Sequence, residues 1–375
     1  MNYCKKCLCP DTRPNIKIGP DGICNACKGH LLKETDINWQ DRKKQFAQII
    51  QQAKKNSVGY DCIVPVSGGK DSWYQLIKCK EYGLNILAVT WKTPARTNIG
   101  KANVDRMLQN LNIDHIDYSV SYETEKKFMI KAFENNGDPG IPFHMGVYTI
   151  PYRLAVQMSI PLIIWGENSQ LEYGGTINEQ LTTNIEEKWM KKHGCMQGTN
   201  SKSWTDNELK EKDLAAYALP TLKELRKSQV VTQRLFLGSF FKWNSLDNAK
   251  TAKKYGFIYN KKSKKTGYWN FADIDCNFVS LHHFPMWHKF GTTRILDNLS
   301  IQIRYGVITR EEAMRIVKEK GLEVPHEDIE LFCKFVGKDV SWFWETLEKF
   351  RNRTIWKKKK GKWVIPNFLI KDWEW

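Results

Sequence analysis

Residues 61–66 (DCIVPV) form a short apolar run of strand length, and they lead directly into Ser67-Gly68-Gly69-Lys70-Asp71-Ser72. A helical stretch follows from Trp73 to Tyr82 and stops at Gly83. No other feature constrains the chain as much, because a strand, a glycine turn and a helix start in that order build an anion site. Backbone N–H groups point outward at the turn, and the helix dipole adds partial positive charge. Gly68 and Gly69 let the backbone approach phosphate oxygens closely. Lys70 can neutralise developing charge, Asp71 can hold Mg2+, and Ser67 and Ser72 can donate hydrogen bonds.

Downstream, strand-like and helix-like segments alternate. Residues 84–91, 115–120 and 161–165 read as strands, and 99–111, 122–135 and 145–158 as helices, the last despite Pro151. Residues 233–240 followed by 246–255 supply a further strand–helix unit. Such alternation predicts an α/β fold with a doubly wound parallel sheet, whose ligands lie at the carboxyl ends of the strands. Thr90, Trp91 and Lys92 end the second strand and Gly166, Glu167 and Asn168 the fourth, so both are candidate nucleotide contacts beside the glycine turn.

Ahead of this unit, Cys4 and Cys7 form one C-x-x-C, and Cys24 and Cys27 form another. Two pairs at that separation predict a four-thiolate zinc ribbon, with the Gly19-Pro20-Asp21-Gly22 turn between them. Four protein thiolates leave no open position, so this Zn2+ is expected to be structural. Cys9 reads as a spare, and Cys62, Cys79, Cys195, Cys276 and Cys333 as core residues.

The net charge of +17 suits polyanionic partners, although much of the excess sits in the lysine runs at 261–265 and 357–362, which read as solvated. No apolar run reaches the length of a membrane span, and the first residues lack a signal-peptide core, so a cytoplasmic protein with reduced cysteines is expected. Toward the end, Thr309 with Glu312, Pro325 and Asp339 start three helices, read together as a small bundle with a basic tail. Its aromatics, Trp342, Trp344 and Phe350, fall at helical spacing and read as core. The expected organisation is a ribbon at 1–35, a nucleotide domain at 36–290 and a helical region at 291–375. His282, His283 and Arg294 are candidate substrate contacts. Metal binding by the histidines is the weaker alternative, because no cysteine or carboxylate stands near them in sequence.

The hexapeptide SGGKDS resembles the PP-loop of the ATP pyrophosphatase superfamily. It is not a Walker loop, since Val64 and Asp71 stand where that motif needs glycine and Ser or Thr. The resemblance implies cleavage of ATP to AMP and pyrophosphate while a substrate oxygen is adenylated, with the base near Thr90–Lys92 and Lys70 and Asp71 as catalytic residues. The motifs CKKCLCPDTRPNIKIGPDGICNAC, VSGGKDS, WGENSQLEYGG, LGSFFKWNSLDNAK and TRILDNLSIQIRYGVITREEA occur in one order. Together they resemble the N-acetyl sugar amidotransferases of bacterial surface-glycan synthesis. Those enzymes convert an acetamido to an acetamidino group on pseudaminic acid or on diacetamido uronic acids of lipopolysaccharide. The resemblance implies a sugar or nucleotide-sugar substrate and a separate glutaminase subunit supplying ammonia. Consistent with the latter, Gly194-Cys195-Met196-Gln197-Gly198 has the wrong spacing for a nucleophile elbow, and Asn2 stands where an N-terminal nucleophile would need cysteine. The alternative is a PP-loop tRNA-modifying enzyme of the thiolase or lysidine synthase type. It is disfavoured because the nucleotide domain lacks a C-x-x-C for sulfur transfer or an iron–sulfur cluster and no cationic RNA module is evident.

Overall fold

The computed structural model describes residues 1–375. Five strands, β1 (Cys62–Pro65), β2 (Ile86–Trp91), β3 (Asp114–Tyr118), β4 (Leu162–Trp165) and β5 (Gln233–Phe236), form one parallel sheet in the order β3-β2-β1-β4-β5. Successive side chains point to opposite faces, and both faces are buried. Cys62, Val64, Ile86, Ala88, Leu162, Ile164 and Leu235 enter one core, beneath helices Trp39–Asn56, Lys70–Glu81, Asn98–Leu111 and Ser245–Lys254. Ile63, Leu87, Val89, Ile163, Trp165 and Phe236 enter the other, beneath helices Tyr122–Asn136 and Ile141–Gln157. This is the doubly wound α/β fold expected from the alternation.

The strand order reverses between β1 and β4, so the crevice at their carboxyl ends is the switch point where such sheets take ligands. The helix after β1 starts at Lys70, three residues earlier than its apolar periodicity suggests, because Gly69 takes the N-cap. Helix Ile141–Gln157 tolerates Pro151 for a specific reason. Proline leaves the Val147 carbonyl without its usual donor, and the Trp165 indole N–H at the end of β4 donates to that oxygen at 3.3 Å.

The C-terminal helices do not form the separate bundle expected. Arg310–Lys320 packs with Arg294–Arg304 in a core that includes Leu8 of the N-terminal segment. His326–Val336 and Val340–Lys349 instead cover helix Tyr122–Asn136, with Phe343 stacked on Phe133 at 4.8 Å. The apolar stripes of the last two pack on each other, Phe332 against Phe343, and on the nucleotide unit in one shared core. The second lysine run folds into a hairpin, Lys357–Lys359 against Lys362–Val364, with its lysines exposed.

A tight stack of backbone fixes the crevice. Gly68 adopts φ +89, and a Cβ there would lie 2.6 Å from the Gly100 carbonyl; a Cβ on Gly100 would lie 2.7 Å from Asp275 Cα. Alanine normally stabilises a helix interior over glycine by about 1 kcal/mol. At Gly100 the clash is with backbone, which cannot rotate away, so Gly100→Ala should instead destabilise by roughly 1–3 kcal/mol. Urea unfolding measures this, and a neutral or stabilised variant would contradict the packing described.

Candidate active site and cysteine cluster

The first turn of the helix after β1 carries Lys70, Asp71 and Ser72. Lys70 is buried and its Nζ lies 2.6 Å from Asp71 Oδ2. Asp71 Oδ1 is buried with no partner. The Ser67 N–H donates to Ser72 Oγ at 3.0 Å and the Gly69 N–H donates to Ser67 Oγ at 3.3 Å, while the Ser67 side chain stands beside Asp275 and eases its charge. The turn is therefore held open from within rather than collapsed.

Asp275 was not legible as a site residue. Along 272–278, Ala272, Ile274, Cys276 and Phe278 are buried while Asp273, Asp275 and Asn277 are half-buried. That is the period of an extended segment, and it runs antiparallel to 95–97. The Thr97 N–H donates to the Asp275 carbonyl at 3.0 Å, and the Asn277 N–H donates to the Ala95 carbonyl at 2.9 Å. Asp273 and Asp275 thus share one side, and Lys70 acts on both of them electrostatically. Arg294, at the start of helix Arg294–Arg304, donates from Nε to Asp273 Oδ2 at 3.1 Å and from Nη1 to the Tyr173 hydroxyl at 3.2 Å. Asp273 is held at about 2, against burial, chiefly by Arg294.

Glu167 completes the crevice from the end of β4. Burial and the Asp71 charge push it up to about 7, against the pull of Lys70. Asp275 is also raised, mainly by burial. Two cations, Lys70 and Arg294, face four carboxylates, Asp71, Glu167, Asp273 and Asp275, a formal balance of −2. An orphaned carboxylate oxygen inside an acidic crevice fits a hard, oxygen-seeking cation such as Mg2+, and disfavours a nucleotide arriving without one.

The other expected contacts separate. The side chain of Asn168 turns away: it is buried, caps helix Ser169–Tyr173 and donates to the Gln180 and Thr182 carbonyls at 3.0 and 3.2 Å. Gly166 accepts the Gly238 N–H at 2.9 Å, tying β4 to β5. The Thr90 hydroxyl pairs with His115 Nε2 at 2.8 Å, and the Lys92 side chain is exposed. Of that trio, Trp91 lines a cavity of about 50 Å³ shared with Phe143, His144, Asp275 and His282. His283 sits within the field of Asp273 and Arg294, whereas its neighbour His282 faces the other way and pairs with Asp138. The two histidines and Arg294 therefore do not form one site.

Cys4, Cys7, Cys24 and Cys27 are all buried, with sulfurs within 4.8 Å of one another. The Cys24 N–H donates to Cys4 Sγ at 3.2 Å and the Cys27 N–H to Cys24 Sγ at 3.4 Å, the bonds that stabilise bound thiolates. The donor set fits a tetrahedral thiophilic metal. Cys9 lies outside it, against Ser300 Oγ at 3.5 Å. The cluster is joined to the crevice on two sides. Arg13 Nε donates to Asp297 at 2.7 Å on the helix of Arg294, and buried Lys33 pairs with Glu172 at 2.5 Å on the helix after Glu167.

Residues 251–369 match the family model described as LPS biosynthesis protein WbpG-like, C-terminal domain. The matched segment begins inside helix Ser245–Lys254 and contains Asp273, Asp275, His282, His283 and Arg294. No curated protein matches the chain. Solved structures similar to the chain include the NH3-dependent NAD synthetase of Campylobacter jejuni subsp. jejuni NCTC 11168 in complex with the nitrate ion. It is 16% identical, the alignment covers 60% of this chain and 100% of that one, and the TM-score is 0.28. Another is the U34-tRNA thiolase NcsA of Methanococcus maripaludis with its 4Fe-4S cluster, 13% identical, with 86% of this chain and 90% of that one covered and a TM-score of 0.31. At those scores the site rests on the geometry of this chain.

The raised Glu167 gives a test with a defined sign. Its protonated form stabilises the fold fully below the ordinary glutamate value, and that contribution is lost as pH rises through about 7. Glu167→Gln should flatten the fall in Tm between pH 4.5 and 7. Added Mg2+ should raise Tm more at pH 8 than at pH 5 in the parent, and by less in the variant. Parallel pH profiles for the two proteins would place Glu167 outside the crevice.

Proposed function

We propose that the chain is an ATP-dependent, AMP-forming amidotransferase that converts the acetamido group of a bacterial surface-glycan sugar to an acetamidino group. The coarser reading, an ATP-using enzyme of LPS biosynthesis, is supported by the PP-loop at the switch point together with the WbpG-like segment. One observation carries the finer reading. The WbpG-like segment supplies Asp273, Asp275 and Arg294 to the crevice of the PP-loop, so the part tied to LPS biosynthesis and the part suited to ATP share one site.

An amide carbonyl is a weak electrophile with a poor leaving group. Attack of its oxygen on the α-phosphorus of ATP forms a C–O–P linkage and expels pyrophosphate. Ammonia then adds to the amide carbon, AMP leaves with the former carbonyl oxygen, and the amidine remains after proton loss. Lys70 and the N–H groups of the helix start stabilise charge on the departing pyrophosphate, the electrostatic contribution expected to dominate. Asp71, with Glu167 beside it, would hold Mg2+, which when bound neutralises the phosphates. Arg294, anchored by Asp273, is placed for an anionic group of the sugar or its nucleotide carrier. The four-cysteine cluster is read as a structural zinc ribbon. Ammonia is read as coming from a separate glutaminase, with nucleic acid not the substrate.

Purified protein should form AMP from ATP when given ammonium and a suitable acetamido sugar nucleotide, with product mass lower by about one dalton as O is replaced by NH. Lys70→Ala should cut AMP formation by about 10²-fold or more. Stimulation by tRNA instead of sugar would favour the tRNA-modifying alternative. Glutamine serving this chain alone as well as ammonium does would overturn the separate glutaminase.

A further inference from the structure

Cys195 does not lie in the core, where its composition class would place it. It is exposed, with φ +56, and it closes a cluster with His144 and His282 whose ligand atoms all lie within 4.8 Å of one another. The two imidazoles stand with ring centroids 4.4 Å apart and planes at 62°. They come from distant elements, helix Ile141–Gln157 and the short helix Val279–His283. His144 Nε2 is buried and has no hydrogen-bond partner, a rare state for a polar atom. His282 Nδ1 lies 2.9 Å from Asp138 Oδ2, and the buried Asp138 is itself fixed by the Gly140 N–H at 2.8 Å. A carboxylate on the far nitrogen of a histidine sets the tautomer that turns the Nε2 lone pair outward, as the outer shell of a metal-bound imidazole does.

We propose that His144, Cys195 and His282 bind a zinc-class divalent cation through two nitrogens and one sulfur. The site is separate from the four-cysteine cluster and independent of the reaction proposed above. Tetrahedral coordination at ordinary Zn–N and Zn–S lengths puts ligands roughly 3.3–3.6 Å apart. From the upper bound of 4.8 Å, that spacing is reached by closing each pair by at most roughly 1.2–1.5 Å, within reach of the exposed Cys195 turn and small rotations of the two imidazoles. Charge also closes: one thiolate and the Asp138 carboxylate balance a 2+ ion. A thiolate–imidazolium nucleophile built from Cys195, His282 and Asp138 is the competing use of these groups, but it gives no role to His144 Nε2. Three protein ligands leave a fourth position. Both histidines line the cavity of about 50 Å³ that extends to Asp275, so that position is available to a small oxygen or nitrogen donor entering there.

The test counts zinc on the full chain. After equilibration with Zn2+ and desalting, the parent should hold about two ions, and Cys195→Ser and His144→Ala about one each. Cys195→Ser changes an exposed side chain and should keep the parental Tm to within a few degrees. On the unmodified protein, Zn2+ should slow alkylation of Cys195 by at least tenfold relative to chelator, read by peptide mass. One zinc on the parent, two on the folded Cys195→Ser protein, or alkylation equally fast with zinc and with chelator would each overturn the proposal.

Discussion

Contact between bare backbone at Gly68, Gly100 and Asp275 lets residues 273–277 close on the turn after β1, and each charged group of the crevice depends on that closure. A methyl at either glycine would clash with backbone, at 2.6 Å from the Gly100 carbonyl or 2.7 Å from Asp275 Cα, and force the layers apart. With the layers joined, Ser67 reaches Asp275, Lys70 is enclosed between carboxylates, and Arg294 is held by Asp273. Two of the four carboxylates of the crevice, Asp273 and Asp275, come from a segment about two hundred positions beyond Lys70 in the chain. The resulting excess of carboxylate is unfavourable alone and becomes favourable once a divalent cation with its phosphates enters.

The cysteine cluster extends the same logic outward. Of its two charged struts, Lys33 to Glu172 is buried and Arg13 to Asp297 partly so, and losing one partner of a buried pair typically costs about 3–5 kcal/mol. One strut ends on the helix of Arg294 and the other on the helix after Glu167. The four-cysteine segment therefore braces two walls of the crevice.

Much of this was legible in the sequence because the signals were local. The strand–turn–helix at 61–82, the alternation of strands and helices, and the spaced cysteine pairs all depend on near neighbours. The acidic wall was not, although its alternating pattern is present: A-D-I-D-C-N-F has the period of a strand, yet it lies among aromatics and pairs with only a short stretch at 95–97. Asn168 and Thr90 were plausible contacts by position, but neighbouring carbonyls and His115 occupy their polar atoms. Adjacent His282 and His283 looked like one feature; a helical turn sends them to different surroundings, and Asp138, far away in sequence, decides the fate of the first. The C-terminal helices showed their apolar stripes but not which surface would cover them.

The account turns on which oxygen attacks ATP. An acetamido sugar nucleotide that supports turnover, labelled with oxygen-18 in its acetamido carbonyl, tests this most directly when incubated with the protein, ATP and ammonium. The account predicts that the label appears in the phosphate of AMP, with an unlabelled amidine product. Label retained in the sugar product, or cleavage of ATP to ADP, would contradict it.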